Sequence, residues 1–300
     1  MLNEFKGEIN SQELGWSESD RERENRERER REQISKGIWR PKIFDSFENV
    51  VCGASTKEYK GFIYLRNPQR FEEEMKADKI RAGKNLVLFI RNLDPSFDPH
   101  RIAYPELEHT DNIRLIRPPE IMTYIKGRKK ILKTDGLITE ERGIVLAILG
   151  ADCPSVGIFD SKNNAIGVFH SGWRGTSLNI AGKGVREMRR LWESDVKFFY
   201  AVIGPGISEN YEVGEDVLSH FREHKNFSEE ELKGIFMPKG EGKYSLNLHK
   251  AILLELLKAG IPRGNIEVTS LRTDLDNDLF PSFRLEGEKA DRFMFAMGLK

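Results

Sequence analysis

The chain has 300 residues, 38% of them hydrophobic, and its 48 basic and 48 acidic side chains cancel to a formal net charge of zero. This composition can supply the core of one large domain or two small ones, and it provides no overall electrostatic attraction to nucleic acid or to an anionic membrane. Because the longest nearly apolar run, residues 143–151, is too short to span a bilayer and no signal-like stretch is recognisable, we expect a soluble, cytoplasmic protein.

The start of the chain is dominated by charge. Residues 18–32 read ESDRERENRERERRE and contain no apolar side chain. Such a segment has no face that can join a hydrophobic core, although Glu–Arg pairs three and four residues apart can support a solvated helix. We predict that residues 1–40 form a disordered or solvated helical tail and that a single domain occupies residues 41–300. A partner-binding or RNA-binding arm is the alternative interpretation of the tail.

Two apolar stretches in the first half of the chain predict strands. Residues 85–93, NLVLFIRNL, have the length and the β-branched and aromatic content of a buried strand. Residues 137–149 contain two short strand signals with a turn at residues 141–143 between them.

Helices are predicted in the second half. Residues 176–193 place apolar side chains at one-sided helical spacing, and residues 248–259 form an apolar run that follows Asn247, a suitable N-cap, and ends at Gly260. Residues 266–271 then predict a strand.

A β-hairpin is predicted around residues 156–169. Two short apolar runs, VGIFD and AIGVF, flank the polar turn Ser-Lys-Asn-Asn at residues 161–164. With a four-residue turn, Asp160 lies opposite Ala165, which fixes the pairing of the whole hairpin.

This register brings Cys153 and His170 together. Ser155 pairs with His170, and Cys153 lies two residues before Ser155, on the same side of the strand line. The two residues are then diagonal neighbours, about 7 to 8 Å apart between backbones. At that separation a thiolate and an imidazole can share one metal ion or one proton. Asp152 precedes the cysteine. The alternative is structural: a small buried cysteine and a hydrogen-bonded histidine at a strand end.

The segment after the histidine favours an anion site. Ser-Gly-Trp-Arg-Gly, residues 171–175, leads into the predicted helix near Thr176, and Arg174 supplies a guanidinium that can bind a phosphate in bidentate fashion. The alternative role for Arg174 is to hold the Trp173 loop through backbone carbonyls.

These segments resemble a known family. ADCPSVGIFD and IGVFHSGWRGT are similar to the central signature of the multicopper polyphenol oxidoreductase, or laccase-domain, family. IGPGISENYEVGEDV (residues 203–217) and TDGLIT (residues 134–139) resemble two further blocks of that family. Together with the segment that contains the helix at residues 248–259, the similarity runs from residue 134 to 299 in the family's order.

The resemblance implies an α+β fold, a layered sandwich of mixed β-sheets flanked by helices. It also implies purine nucleoside phosphorylase activity with adenosine deaminase as a side activity, so that the substrates are a purine nucleoside and phosphate. A zinc or copper ion is implied at Cys153 and His170. The site residues that it implies are, for catalysis, Cys153, His170, Asp152 and Arg174, and for substrate binding, Arg174, Gly175, Gly204 and Tyr211.

One expected ligand is missing from the aligned position. The family's first metal-binding histidine falls within residues 116–122, IRPPEIM, which contain no histidine. The resemblance therefore predicts an incomplete metal site and weakened metal binding, unless a shifted loop brings His109 into the position. His100 is the only other histidine that precedes Cys153.

Other interpretations of the site are open. A non-catalytic relative could keep the pocket and bind a purine-like ligand or a partner. A metal-free hydrolase could use Cys153 as nucleophile and His170 as its base. Elsewhere, His220 and His224 are four residues apart and could chelate a metal, although a solvated helix face is the simpler prediction, as is a surface position for His249.

Overall fold

The computed structural model describes residues 20–62, 76–118 and 133–300. In these ranges the chain forms eight α-helices and fifteen β-strands, and no helix there is both long and apolar enough to cross a membrane. The helices are α1 (Asp20–Gln33), α2 (Lys76–Leu93), α3 (Trp173–Ser177), α4 (Ile180–Trp192), α5 (Glu215–His224), α6 (Glu229–Ile235), α7 (Leu248–Lys258) and α8 (Phe283–Glu286). The strands are β1 (Ile34–Ser35), β2 (Ile38–Trp39), β3 (Val50–Ser55), β4 (Ile102–Ala103), β5 (Ile113–Leu115), β6 (Gly136–Thr139), β7 (Val145–Gly150), β8 (Ser155–Asp160), β9 (Ala165–His170), β10 (Phe199–Ile203), β11 (Tyr211–Gly214), β12 (Phe236–Gly240), β13 (Lys243–Leu246), β14 (Ile266–Val268) and β15 (Phe293–Leu299).

Two six-stranded sheets form the centre of the molecule. The first has the order β1-β2-β3-β15-β7-β4 and the second β14-β10-β8-β9-β6-β5, while β11-β13-β12 form a small third sheet. Both large sheets are mixed, because β4 runs parallel to β7, β5 to β6 and β14 to β10, whereas their other pairs are antiparallel.

Alternating apolar residues pack the two sheets face to face. Val168 of β9 and Phe295 of β15 belong to the cluster between the sheets, whereas the next residue of β9, Phe169, faces α4 and α7. Met294 of β15 points the other way, toward Phe89 of α2. The order of layers is therefore helix, sheet, sheet, helix, which confirms the predicted α+β sandwich of mixed sheets flanked by helices.

The predicted hairpin has the predicted register. Strand β8 pairs with β9 so that Asp160 lies opposite Ala165 and Ser155 opposite His170. The turn is held by Asp160, whose carboxylate accepts the N–H of Lys162 at 3.0 Å. The two strands expected in residues 137–149 are β6 and β7.

Residues 85–93 are a helix, so the strand predicted there was wrong. They form the second half of α2, and the buried side chains on this helix recur at Ala82, Phe89, Ile90 and Leu93. Leu88, inside the apolar run, is 50% exposed. The run is apolar all round the helix but buried on one face only, so the sequence shows no helical period there.

The helix predicted over residues 176–193 is two helices. Asn179 has φ of 61°, in the left-handed region, and it separates α3 from α4. Helix α7 agrees with the prediction, including the cap, because the Asn247 side chain accepts the N–H of Lys250 at 2.9 Å. The strand predicted for residues 266–271 is shorter and ends at Val268.

The start of the chain joins the body of the molecule. Residues 20–33 form a helix, as the charge pairs allowed, but it is held by polar contacts, whereas we expected a segment unable to pack. Strands β1 and β2 belong to the first sheet, and Ile38 and Trp39 are fully buried, so the sheet begins before residue 41. Residues 1–19 lie outside the described part.

One buried carboxyl group ties two of the outer helices together. Glu255 of α7 is 2% exposed, and its Oε2 accepts the N–H groups of Ala181 at 3.0 Å and Gly182 at 3.4 Å. These N–H groups belong to the first turn of α4 and have no acceptor within that helix. Burial raises the pKa of Glu255 well above its ordinary value, and the two hydrogen bonds and the charge of Arg186 offset this only in part.

The substitution Glu255→Gln should remove a pH dependence of stability. A carboxyl group that stays protonated when folded but ionises when unfolded makes the folded state less stable as the pH rises from 4.5 toward the folded-state pKa, by about 1.4 kcal/mol per pH unit. An amide is neutral in both states and can still accept the two N–H groups. We therefore expect similar urea midpoints for the variant and the wild type at about pH 4.5, and a higher midpoint for the variant at about pH 8. Glu230→Gln, which changes an exposed carboxyl group on α6, is the control, and identical midpoints for Glu255→Gln and wild type at the higher pH would contradict the assignment.

Candidate active site

Four ligating or acidic side chains lie at one end of the second sheet. His170 is the last residue of β9, Cys153 precedes β8, Asp135 precedes β6 and His109 precedes β5. Strands β8 and β6 each run antiparallel to β9, and β5 runs parallel to β6. The starts of β5, β6 and β8 therefore meet the end of β9, which collects the four residues in one place.

His109, Cys153 and His170 form a three-membered cluster. One ligand atom from each residue lies within 4.8 Å of the other two, and the two imidazole rings meet edge to face with their centroids 5.0 Å apart. The sequence predicted an incomplete site unless a shifted loop brings in His109, and the structure has this second arrangement, with His109 on a loop that precedes the aligned position. Of the segment where the family alignment placed that histidine, residues 119–122 lie outside the described part.

A fully buried carboxylate, Asp135, holds both histidines. It faces Nδ1 of His170 at 3.0 Å and accepts the N–H groups of Glu108, His109 and Thr110 as well as the Thr110 hydroxyl. These bonds keep His109 in its left-handed backbone conformation, with φ of 59°. Because Nδ1 of His170 faces the carboxylate, its Nε2 is the ring nitrogen left for the cysteine or a metal. Asp135 belongs to the TDGLIT segment, and no role was predicted for it; the signal in the sequence is an acidic residue at the start of a buried strand.

The charges of the cluster stabilise one another. Burial by itself raises the pKa of the Cys153 thiol, but the positive charge of His170 and hydrogen bonds from His109 and His170 lower it to about 6. Burial likewise disfavours a charged His170, yet the Cys153 thiolate and the Asp135 carboxylate raise its pKa to about 9. A thiolate beside an imidazolium is therefore the favoured form of this pair.

The donor set fits a transition metal. Two imidazoles and one thiolate are the ligands that zinc and copper prefer, and three protein ligands leave a coordination position for a substrate or water. Gly172 leaves room at the sulfur, because a Cβ at that position would lie 2.8 Å from Sγ of Cys153. Nearby, the buried hydroxyl groups of Ser155 and Ser171 have no hydrogen-bond partner among the described residues.

Cys153 also lines a cavity of about 340 Å³. Aromatic and aliphatic side chains form most of its wall, with one guanidinium group. The lining residues are Ala151, Asp152, Cys153, Trp173, Ile207, Tyr211, Leu248, Phe283 and Arg284. A cavity of this size can hold a small organic molecule in contact with the cluster.

Asp152, which we expected to be catalytic, is part of the cavity wall and accepts hydrogen bonds from neighbouring parts of it. One carboxylate oxygen accepts the hydroxyl of Thr273 at 2.6 Å and the other accepts the N–H of Arg284 at 2.6 Å. The backbone of Asp152 has φ of 84°, and its carbonyl accepts the N–H of Ile207 at 2.7 Å. The structure therefore shows Asp152 connecting three loops around the cavity.

The residues expected to bind substrate lie in different surroundings. Tyr211 lines the cavity, and Arg174 is exposed beside it with its guanidinium 4.2 Å from the centre of the Trp173 ring. Gly175 and Gly204 are buried behind the site, where a Cβ would lie 3.1 Å from a neighbouring backbone or ring atom. These two glycines allow close packing and do not line the cavity.

The remaining histidines divide into two groups. His249 is buried, which corrects the predicted surface position, and its Nε2 donates to the Gly204 carbonyl at 3.2 Å. His220 and His224 are partly exposed on α5, as expected, with ring centroids 4.5 Å apart. Nδ1 of His220 lies 2.8 Å from the Ser177 hydroxyl.

The fold and the site define a class of protein: a four-layer sandwich with a histidine–cysteine–histidine cluster at the end of one sheet. Residues 74–300 match the family described as multi-copper polyphenol oxidoreductase laccase. The chain belongs to this family, which confirms the resemblance seen in the sequence.

Curated relatives carry a common name. A protein named purine nucleoside phosphorylase from Bacteroides thetaiotaomicron is 32% identical over 221 residues, which cover 73% of this chain and 79% of the relative. Another protein of that name from Staphylococcus epidermidis is 34% identical over 166 residues, 55% of this chain and 60% of the relative.

Solved structures share the fold. The hypothetical protein YfiH of Bacillus licheniformis superposes with a TM-score of 0.78 and 28% identity, over 89% of this chain and 97% of that one. YlmD of Geobacillus stearothermophilus gives a TM-score of 0.77 over 90% of this chain and 98% of that one. Its identity is 24%, so this second comparison supports the fold alone.

The acidity of Cys153 can be measured directly. In protein freed of metal by a chelator, we expect the ultraviolet absorbance of the thiolate to rise with a midpoint at about pH 6, compared with an ordinary thiol pKa of 9.0. Asp135→Asn removes the negative charge that favours a protonated His170, so the midpoint should move upward. Cys153→Ser is the control and should show no step in this range, because burial raises the pKa of the other cysteine, Cys52, well above its ordinary value. A midpoint near the ordinary value in the unmodified chain would contradict the charge pairing.

Proposed function

We propose that this protein is a metal-dependent purine nucleoside phosphorylase that uses His109, Cys153 and His170 as metal ligands. The observation that carries the proposal is the position of the cluster: Cys153 is both one of three converging ligands and part of the wall of a cavity large enough for a nucleoside. The names of the curated relatives support the same reaction.

Phosphorolysis makes defined demands on such a cavity. The bond between C1′ of the ribose and the base nitrogen breaks, a phosphate oxygen bonds to C1′, and the base leaves with the proton that the hydrogen phosphate loses. Trp173, Tyr211 and Phe283 offer ring surfaces against which a purine can pack. Asp135 holds the proton at Nδ1 of His170, which keeps Nε2 directed toward the cluster.

Zinc or copper is the expected cofactor, because the ligand set combines two imidazoles and a thiolate. When bound, such an ion would supply a Lewis acid with an open position, able to lower the pKa of a bound water. The same property would account for adenosine deaminase as a side activity, since removal of the adenine amino group requires an activated water.

Two arginines are the candidates for binding phosphate. Arg284 lines the cavity, and Arg174 lies over Trp173 at its side. The guanidinium of Arg284 lies 5.0 Å from the centre of the Tyr211 ring, another part of the cavity wall. Arg174 is exposed, so its guanidinium is accessible to a phosphate entering from solvent.

A second candidate function uses the thiol directly. The lowered pKa of Cys153 and the adjacent His170 also suit a nucleophile and its base in a metal-free hydrolase. Activity that survives a chelator and is abolished by iodoacetamide would favour this alternative over the metal-dependent reaction.

The decisive test measures products and metal together. In phosphate buffer, inosine and adenosine should each yield free base and ribose 1-phosphate in equal amounts, measured by chromatography and phosphorus NMR. His109→Ala should lower metal affinity at least about tenfold and lower the rate of base release with it, because one of three ligands is lost. His100→Ala, which changes an exposed histidine, is the matched control.

Two results would contradict the proposal. The first is release of base at the same rate with and without phosphate, which indicates hydrolysis. The second is unchanged metal content in His109→Ala, which removes this residue from the ligand set.

The substitution Arg174→Lys tests the phosphate site. Lysine keeps the positive charge but loses the planar two-pronged guanidinium, so we expect the KM for phosphate to rise by about tenfold while the KM for inosine and the melting temperature stay unchanged. Arg189→Lys, near the end of α4, is the control for replacing an arginine far from the cavity. An unchanged KM for phosphate in Arg174→Lys would make Arg174 a structural residue that covers Trp173.

A further inference from the structure

The charged helix α1 lies before the part of the chain that matches the family, which begins at residue 74. Its sequence contains no apolar side chain, and the side-chain contacts described for it are polar. The contacts of Glu29, Arg30 and Gln33 all reach beyond the helix, and most of them converge on the chain that follows β14. We call residues 269–286 the wall segment.

Glu29 accepts hydrogen bonds from the beginning of the wall segment. One oxygen of its carboxylate accepts the hydroxyl of Thr269 and the indole N–H of Trp39, the latter at 2.9 Å. The other oxygen accepts the backbone N–H of Ser270 at 2.8 Å and its hydroxyl at 2.5 Å. Hydrogen bonds to an ionised acceptor are about twice as strong as those between neutral groups, so this one side chain fixes two consecutive residues.

Arg30 forms ion pairs with the middle of the same segment. Its guanidinium donates to Asp276 at 3.1 Å and to Asp278. Asp276 is buried, and it in turn accepts the backbone N–H of Arg272 at 2.7 Å. The contact from α1 therefore stabilises a turn within the wall segment from outside.

The far end of the wall segment forms one side of the cavity. Phe283 and Arg284 line it, and the N–H of Arg284 and the hydroxyl of Thr273 both donate to Asp152. Asp274 accepts the N–H and the hydroxyl of Ser208, at 2.8 and 2.6 Å, next to the lining residue Ile207. The segment that Glu29 contacts at its start is therefore the same segment that forms the cavity wall at its end.

We propose that α1 is a strap that positions the substrate-binding wall, with Glu29 as its principal positioning residue. The proposal rests on the proposed function in assuming that the cavity holds the nucleoside. Glu29 touches neither the cavity nor the histidine–cysteine cluster, so it acts through the wall segment. Loss of its carboxylate should loosen the wall and weaken nucleoside binding while the metal ligands stay in place.

The test compares Glu29→Ala with Arg28→Ala in the full-length protein. Arg28 is exposed on the same helix, and its guanidinium donates to Asn25 of that helix, so its loss leaves the strap attached. For Glu29→Ala we expect the KM for inosine to rise at least about fivefold, with kcat within about twofold of wild type and metal content unchanged. Amide exchange in residues 271–285 should become at least about tenfold faster. Arg28→Ala should match wild type in every measurement.

Hydrogen exchange separates this proposal from the phosphorylase assignment, because it is measured without substrate. If the wild-type chain shows no phosphorolysis but amide exchange in Glu29→Ala becomes faster as expected, the positioning role of α1 is supported and the proposed reaction is wrong. If Glu29→Ala does not fold, Ser270→Ala removes a single hydroxyl from the same contact and should give the same changes at smaller size. Exchange unchanged in both variants, or faster exchange with an unchanged KM for inosine in an active enzyme, would overturn the proposal.

Discussion

The carboxylate of Asp135 is the interaction on which the site depends. A buried charge is tolerated only when hydrogen bonds or opposite charges replace its lost hydration, and Asp135 meets this need with the backbone of residues 108–110, a threonine hydroxyl and the imidazole of His170. The hydrogen bonds to Asp135 bring the loop that precedes β5 to the end of β9. His109 is carried on that loop, so its place beside Cys153 is a consequence of how Asp135 is bonded.

Three acids of different depth organise the region around the cavity. Asp135 lies behind the cluster, and Asp152 joins the loops that form the cavity wall. Glu29 holds the start of the wall segment from the N-terminal helix. In each case a carboxylate accepts backbone N–H groups or hydroxyls from residues distant in sequence, so the geometry of the cavity depends on hydrogen bonds across the fold as well as on apolar packing.

Local patterns were enough to predict part of this arrangement. The length of the four-residue turn determined the pairing of Ser155 with His170, and the period-two rule put Cys153 on the same side of the sheet as His170. Asn247 and Gly260 marked the ends of α7 correctly. The continuous apolar run at residues 85–93 led to a wrong prediction, because a strand and a helix that packs on one face can both contain such a run.

The hairpin, the family and the proximity of Cys153 to His170 could be predicted from the sequence, since these features depend on local motifs and on neighbours close in the chain. Three features required the tertiary structure: His109 joins the cluster, Asp152 accepts hydrogen bonds from other parts of the cavity wall, and the charged helix α1 attaches to residues 269–286. Those contacts join residues from about 40 to 240 positions apart, and no periodicity or spacing along the chain records which distant strand ends will meet. The starts of β5 and β6 lie beside the end of β9 because β5 pairs in parallel with β6 and β6 pairs antiparallel with β9.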